Sequence, residues 1–292
     1  MKVLLTGAGG QLGRELAATC PRDIELIACR RADLDITQRD QVESVLARHQ
    51  PDLIVNTAAY TAVDRAESEP DIAFAVNGDG PRALASMAIE IGARLIHFST
   101  DFVFNGRQAS PYQPQSRTDP QSVYGASKLA GEGHVLEICD RRALVIRTAW
   151  VYSRFGGNFV DTMLRLMSER DSVSVVADQI GTPTWTRSLA ELVWACGSQA
   201  EIHGLHHWTD AGVASWYDFA VAVQEEAATL ELLAPSSRLI PVTTADFPTP
   251  ARRPPYSVLD CTSIRRHLDL PAVHWRRQLR TMLHQMREPR ED

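Results

Sequence analysis

The chain has 292 residues, 44% of them hydrophobic and 23% charged, the balance of a globular protein with a sizeable core and not of a disordered or disulfide-stapled chain. Thirty Lys and Arg against 36 Asp and Glu leave a net charge of −6, so no overall electropositive surface invites a nucleic acid or an anionic membrane, and an anionic ligand must be held locally. Scattered cysteines without a Cys-x-x-Cys pair, and a short apolar run at the N-terminus, point to no disulfide framework, zinc knuckle, signal peptide or membrane span; the expected compartment is the cytoplasm.

In chain order, apolar or β-branched runs at Val3–Thr6, Glu25–Cys29, Leu53–Thr57, Leu95–Ser99 and Leu144–Thr148 alternate with stretches of helical spacing. Val42, Val45 and Leu46 make one such stretch, and Ala83, Leu84, Met87 and Ile91 another. Continuous apolar strands separated by helices predict a doubly wound, Rossmann-type parallel sheet in an α/β protein. After Trp150 the rhythm loosens into a helix near Asn158–Glu169, a strand at Val173–Val176 and a helix near Leu189–Cys196. Helices at Trp216–Ala228 and Trp275–Met286 follow, with prolines densest between Phe247 and Tyr256. The expected organisation is an NAD(P)-binding domain over residues 1–150 and a smaller, irregular substrate lobe over 151–292, from which a strand or helix can return to the first domain. Residues Arg287–Asp292 are charged and expected to fray.

The strand at Val3–Thr6 runs into Gly7-Ala-Gly-Gly10-Gln11-Leu12-Gly13 and then a helical Arg14–Thr19. Glycines there serve a tight turn, close approach of backbone to a pyrophosphate, and close packing of helix on strand, while the helix N-terminus offers free N–H groups to an anion. A glycine triplet alone is weak, but its place after the first strand of a βα chain is what a dinucleotide site requires.

Tyr124 and Lys128 are spaced i, i+4 at the start of a helix and therefore share one face. A neighbouring ammonium favours phenolate and should bring the phenol toward a working pKa. Of the 30 basic residues only Lys2 and Lys128 are lysines, so a lysine at this position is notable. Ser99-Thr100-Asp101 ends the fourth strand, where open α/β sheets place their sites, and a hydroxyl there can bond a substrate carbonyl.

Further along, the chain carries Asp35-Ile36, Asn56-x-Ala-Ala59-Tyr60-Thr61-Ala-Val-Asp64-x-Ala-Glu67, Tyr124-Gly-x-x-Lys128-x-x-Gly-Glu132 and Arg147-Thr-x-Trp150-Val-Tyr152. It also carries Asp178-Gln-x-Gly-x-Pro-Thr184 and Pro248-Thr-Pro-Ala-x-Arg253-Pro254. On these motifs, from Met1 to about Met286, it resembles the extended short-chain dehydrogenase/reductases, and within them the dTDP-4-dehydrorhamnose reductases. The resemblance implies reduction of a dTDP-4-keto sugar by NADPH, with NADH as the alternative donor. It implies catalytic roles for Thr100, Tyr124 and Lys128, a cofactor surface including Gly10, Gln11, Leu12, Asp35, Ile36, Ala59, Tyr60 and Thr61, and substrate contacts from Asp101 and Trp150. Arg253 stands where a cationic fork for the substrate diphosphate is expected.

Related dehydratases carry Thr-Asp-Glu where this chain has Phe102 in the third place, and a phenyl ring is neither acid nor base. That favours ketone reduction over dehydration, with an epimerase or a non-catalytic subunit resembling that of methionine adenosyltransferase as the other readings. Some relatives are dimers bridged by magnesium. Here Glu15 is available, but Arg187 follows Thr184 where an acidic ligand is wanted, so no metal and a monomer are expected. His203, His206 and His207 lie on an expected strand edge without an acidic or Cys partner, and Trp208, Trp216 and Tyr217 read as core of the smaller lobe. Arg30 and Arg31 follow the second strand, where an acid would select NAD; Arg30 is the expected contact for the 2′-phosphate of NADPH.

Overall fold

The alternating apolar runs become a parallel sheet. The computed structural model describes residues 1–234 and 237–287. Its first half runs β1 (Lys2–Thr6), α1 (Gln11–Ala18), β2 (Glu25–Cys29), α2 (Arg39–His49), β3 (Leu53–Asn56), α3 (Val63–Ala66), α4 (Pro70–Phe74), α5 (Gly80–Glu90), β4 (Arg94–Thr100), α6 (Val123–Cys139) and β5 (Ala143–Thr148). The second half runs β6 (Val151–Tyr152), α7 (Phe159–Glu169), β7 (Ser172–Val176), β8 (Ile180–Gly181), β9 (Thr184–Trp185), α8 (Thr186–Gly197), β10 (Gly204–His207), β11 (Ala214–Ser215), α9 (Trp216–Thr229), β12 (Arg238–Val242), α10 (Thr262–Leu268) and α11 (Trp275–Arg287).

The central sheet has the order β10-β5-β4-β3-β1-β2, with every pairing parallel. Side chains alternate across it with period two, so Val3 and Leu5 join one core with Leu16, Leu189 and Val193, while Leu4 joins the other with Val42, Leu46, Leu84 and Val135. Burying each such side chain contributes roughly 1.5–3 kcal/mol, which is why strands covered on both faces read as unbroken apolar runs. Helices α1 and α8 thus cover one face, and α2, α5 and α6 the other.

Three elements from the second half belong with this sheet: α8 covers it, α10 packs on the same side through Ile264, and β10 extends it at the β5 edge. The remaining elements form a separate core, in which Met163 and Met167 of α7, Phe219 and Val223 of α9, and Leu279 and Met282 of α11 pack around Tyr152 and Trp185. Strand β12 pairs with β7 beside them. Helix α1 begins at Gln11, earlier than the Arg14 expected from the sequence, because Gly10 is the extended residue that caps it. Arg287 is the last described residue of α11, and residues 288–292 lie outside the described part of the chain. Among the described residues no helix is long and apolar enough to cross a membrane.

Candidate active site

Strand β1 delivers the glycine turn to the carboxyl end of the sheet, beside β3, where the strand order reverses. Gly7 has φ +67°, and a Cβ there would lie 2.5 Å from the Ala58 amide nitrogen; one on Gly13 would lie 2.4 Å from the Gly7 carbonyl. Side chains at these positions would prevent the turn and the seating of α1. Gly10 caps α1 without any side-chain acceptor, and no acid stands in the first turn, so the opening N–H groups of the helix are left for an anion. The loop opens on a cavity of about 600 Å³. This cradle fits the diphosphate of a dinucleotide.

The same cavity is lined by Gly10, Gln11, Leu12, Ala59 and Thr61 on one side, by Thr100, Asp101, Tyr124 and Lys128 at its floor, and by Trp150 and Arg253 from the lobe. The expected catalytic residues and part of the expected cofactor surface are therefore brought together. Thr100, the last residue of β4, accepts a hydrogen bond from the Phe102 amide at 3.2 Å and donates to Asp101 Oδ1 at 3.1 Å. Helix α6 is started by Ser122, whose hydroxyl accepts from the Gly125 amide at 3.1 Å, and by Glu67, which accepts from the Val123 amide at 2.8 Å. A Cβ on Gly125 would stand 2.3 Å from the Phe102 carbonyl, so glycine lets the helix press onto the turn after β4. Tyr124 then meets Phe102 edge-on, with centroids 5.6 Å apart.

Burial dominates the electrostatics. It pushes the Tyr124 phenol up to about 12, reinforced by the charge of Asp101 and opposed by the Thr100 hydroxyl. The expected lowering by the Lys128 ammonium is not among the influences on the phenol in this structure, where burial dominates and favours the neutral form. Lys128, one turn on and 3% exposed, is itself brought down to about 8 by burial, against the pull of Glu132. The Asp101 carboxyl is raised to about 6 by burial, opposed by Ser257 and Thr100. Its Oδ2 has no hydrogen-bond partner among the described residues. Beneath the floor, His97 Nδ1 lies 3.0 Å from Asn56 Nδ2, and burial together with Lys128 holds the imidazole neutral, well below its ordinary value.

The lobe side is aromatic. Trp150, at φ +48°, stacks on Trp216 with centroids 3.6 Å apart and planes within 4°, and Phe159 packs against Trp216 at 4.7 Å. The Trp216 indole nitrogen donates to Gln179 Oε1 at 3.2 Å. Trp216 was expected only as core; it packs on the lobe core and also lines the cavity. Its capping box of Ser215 and Asp218 was readable in the sequence, but what the start of α9 faces was not. Asn56, which heads one of the motifs, also lines the wall, and Thr57, Phe98 and Phe159 are further wall residues that the sequence did not single out.

Other expected residues stand away from the cavity wall. The Asp35 carboxylate accepts from the Thr37 amide at 3.0 Å, the Thr37 hydroxyl at 2.8 Å and Arg31 Nε at 3.2 Å, so it serves its own turn. Ile36 is buried against Gly80. The Tyr60 phenol donates to Glu69 at 2.5 Å, and its amide donates to Asn77 at 2.9 Å. Arg30 is exposed, its Cγ 3.9 Å from where a Cβ on Gly9 would stand, whereas Arg31 is paired with Asp35. Buried Glu15 accepts from the Thr186 hydroxyl at 3.1 Å, with Arg187 Nη1 3.9 Å away. His206 Nε2 and His207 Nδ1 each lie within hydrogen-bond distance of a backbone carbonyl.

A family model described as RmlD substrate binding domain matches residues 1–288. A dTDP-4-dehydrorhamnose reductase of Streptomyces griseus is 44% identical over 282 residues, covering 94% of this chain and 91% of its own. A protein of Streptomyces antibioticus named probable dTDP-4,6-dihydroxy-2-methyloxan-3-one 4-ketoreductase is 42% identical, covering 96% and 94%. The crystal structure of a Bacillus anthracis dTDP-4-dehydrorhamnose reductase in complex with NADP superposes with a TM-score of 0.90 at 35% identity, covering 97% of this chain and 99% of that one.

Proposed function

Because the chain belongs to the RmlD family of dTDP-sugar reductases, we propose that it reduces the 4-keto group of dTDP-4-dehydro-β-L-rhamnose with NADPH, giving dTDP-β-L-rhamnose, the last step in making that activated sugar. The observation that carries this reading is the meeting of Thr100, Tyr124 and Lys128 on the floor of a cavity that also reaches the free N-terminus of α1.

Gly7, Gly10, Gln11, Leu12 and Gly13 would hold the cofactor diphosphate, with Ala59 and Thr61 on the facing wall and Arg30 free to reach a 2′-phosphate. Reduced nicotinamide supplies the hydride when bound. Tyr124, protonated because it is buried, donates its proton to the carbonyl oxygen of the substrate. Thr100 offers a hydroxyl to the same oxygen as charge develops there. Lys128 carries the positive charge that stabilises the tyrosinate left behind and bonds ribose hydroxyls. Asp101 and Trp150 hold the sugar, and Arg253 faces the diphosphate. Phe102, in contact with Tyr124, supplies no acid or base for eliminating water.

In this reading residues 1–150 do the cofactor binding, with α8 and β10 completing their sheet, and the rest of 151–292 shapes the sugar side. The facing of Glu15 by Arg187 supports a monomer without a bridging magnesium, since a guanidinium repels a hard cation. A cytoplasmic site of action is supported by five cysteines that are all unpaired.

The ketoreductase relative keeps neighbouring dTDP-4-keto sugars open as substrates. A panel of such sugars with NADPH, followed by cofactor oxidation and product identity, tests the proposal. Stoichiometric oxidation with the dehydrorhamnose substrate is expected, and its absence would point to an epimerase or a regulatory subunit. Tyr124→Phe should lower turnover by about 10²–10⁴-fold with NADPH binding kept.

A further inference from the structure

We propose that Asp64 is a positioning residue that aims Arg253 at the diphosphate of the sugar nucleotide; the inference rests on reading the cavity as a dTDP-sugar site. Asp64 belongs to α3, a short helix just beyond the Ala59–Thr61 wall, and Arg253 comes from the proline-rich segment of the lobe. Their side chains meet as a two-pronged pair: Arg253 Nη1 donates to Asp64 Oδ1 at 3.0 Å and Nη2 donates to Oδ2 at 2.9 Å. The second proton of the same Nη1 is shared between Thr249 Oγ1 at 2.6 Å and the Ala251 carbonyl at 3.1 Å, while the Ala251 amide donates to Asp64 Oδ1 at 3.1 Å. One edge of the guanidinium is thus gripped from both sides of the cavity mouth. These bonds leave Nε–H and one Nη2 proton of Arg253, a residue that lines the cavity, for an oxyanion.

A contribution to stability accounts for only part of the arrangement. The side chains of Asp64 and Arg253 are 39% and 24% exposed, and solvent screening keeps the contribution of even a two-pronged pair to folding modest. A free arginine side chain, in contrast, samples many rotamers, and fixing it in advance removes an ordering cost that ligand binding would otherwise carry. The arrangement therefore makes a prediction of unexpected sign. Charge counting says that removing a carboxylate beside an anion site tightens anion binding. Preorganisation says that removing this one weakens it.

The test is calorimetric binding of dTDP to the full chain, with steady-state kinetics alongside. For Asp64→Asn we expect dTDP affinity to fall about tenfold and the KM for the dTDP-sugar to rise in step, with kcat changed less than about twofold and NADPH affinity unmoved. In an Arg253→Ala background the Asp64→Asn change should cost nothing further, because the residue acts through the guanidinium. Unchanged or tighter dTDP binding by Asp64→Asn overturns the proposal, as does an additive loss in the double variant. If Asp64→Asn does not fold, Thr249→Val loosens the same nitrogen from the lobe side and must weaken dTDP binding in the same KM-only manner. A wild-type protein that binds NADPH but not dTDP removes the substrate reading itself, and this inference with it.

Discussion

Thr100 donates its hydroxyl proton to Asp101 across 3.1 Å while accepting the Phe102 amide proton. A hydroxyl has one proton, so while Asp101 is ionised that proton is shared away from the substrate oxygen. Once Asp101 is protonated it can donate to Thr100, and the Thr100 proton is released toward the ketone. The charged and hydroxyl-bearing neighbours of Asp101 are Thr100, Tyr124 and Ser257, and burial places its titration at about 6. The expected result is a kcat/KM that rises as pH falls through about 6. Asp101→Asn, whose amide donates to Thr100 at every pH, should lose that step. Thr100→Val should lower kcat by about 10²–10³-fold at any pH, with NADPH affinity kept.

The alkaline side of the profile belongs to Lys128. Its ammonium titrates at about 8, whereas the Tyr124 phenol, at about 12, stays protonated throughout. Loss of the Lys128 charge leaves a forming tyrosinate unsupported, so kcat/KM is expected to decline above pH 8. Lys128→Met should show low activity with no such limb. A wild-type limb that survives in that variant would assign the titration elsewhere.

Cofactor choice should separate the two arginines after β2. Arg30 is exposed beside the glycine loop, and Arg31 is held by Asp35 at 3.2 Å. Arg30→Ala is expected to cost roughly 1.5–3 kcal/mol of NADPH binding, the range for a hydrogen bond to a charged group, and almost nothing for NADH. Arg31→Ala should affect NADPH less. Fluorescence titration with both cofactors measures the difference directly, and equal losses for NADPH and NADH would show that the 2′-phosphate is read by other residues.

Behind Lys128, the Glu132 carboxylate accepts from Arg147 Nη2 at 2.6 Å and Nε at 2.8 Å, and both side chains are 3% exposed. Removing one partner leaves a buried charge without its counterion. Glu132→Gln should therefore destabilise the fold by about 3–5 kcal/mol in urea unfolding. The paired change Glu132→Leu with Arg147→Met should recover most of that loss, because neither charge then remains.

The sequence by itself determined what depends on near neighbours along the chain. Strands β1 to β5 were readable because apolar runs bounded by turn residues are local patterns, and the glycine loop because its demands fall on consecutive residues. The pairing of Tyr124 with Lys128 follows from the pitch of one helix. The resemblance motifs added Asp101, Trp150 and Arg253, and all three line the cavity. Tertiary structure alone decided the rest. It set the protonation of Tyr124 and Lys128, since desolvation depends on what other elements cover a group. It placed Trp216 against Trp150, brought β10 alongside β5, and joined Asp64 to Arg253 across 189 positions of chain. No periodicity in a sequence encodes such meetings, because they are settled by which faces remain to be buried once the sheet and the lobe have packed.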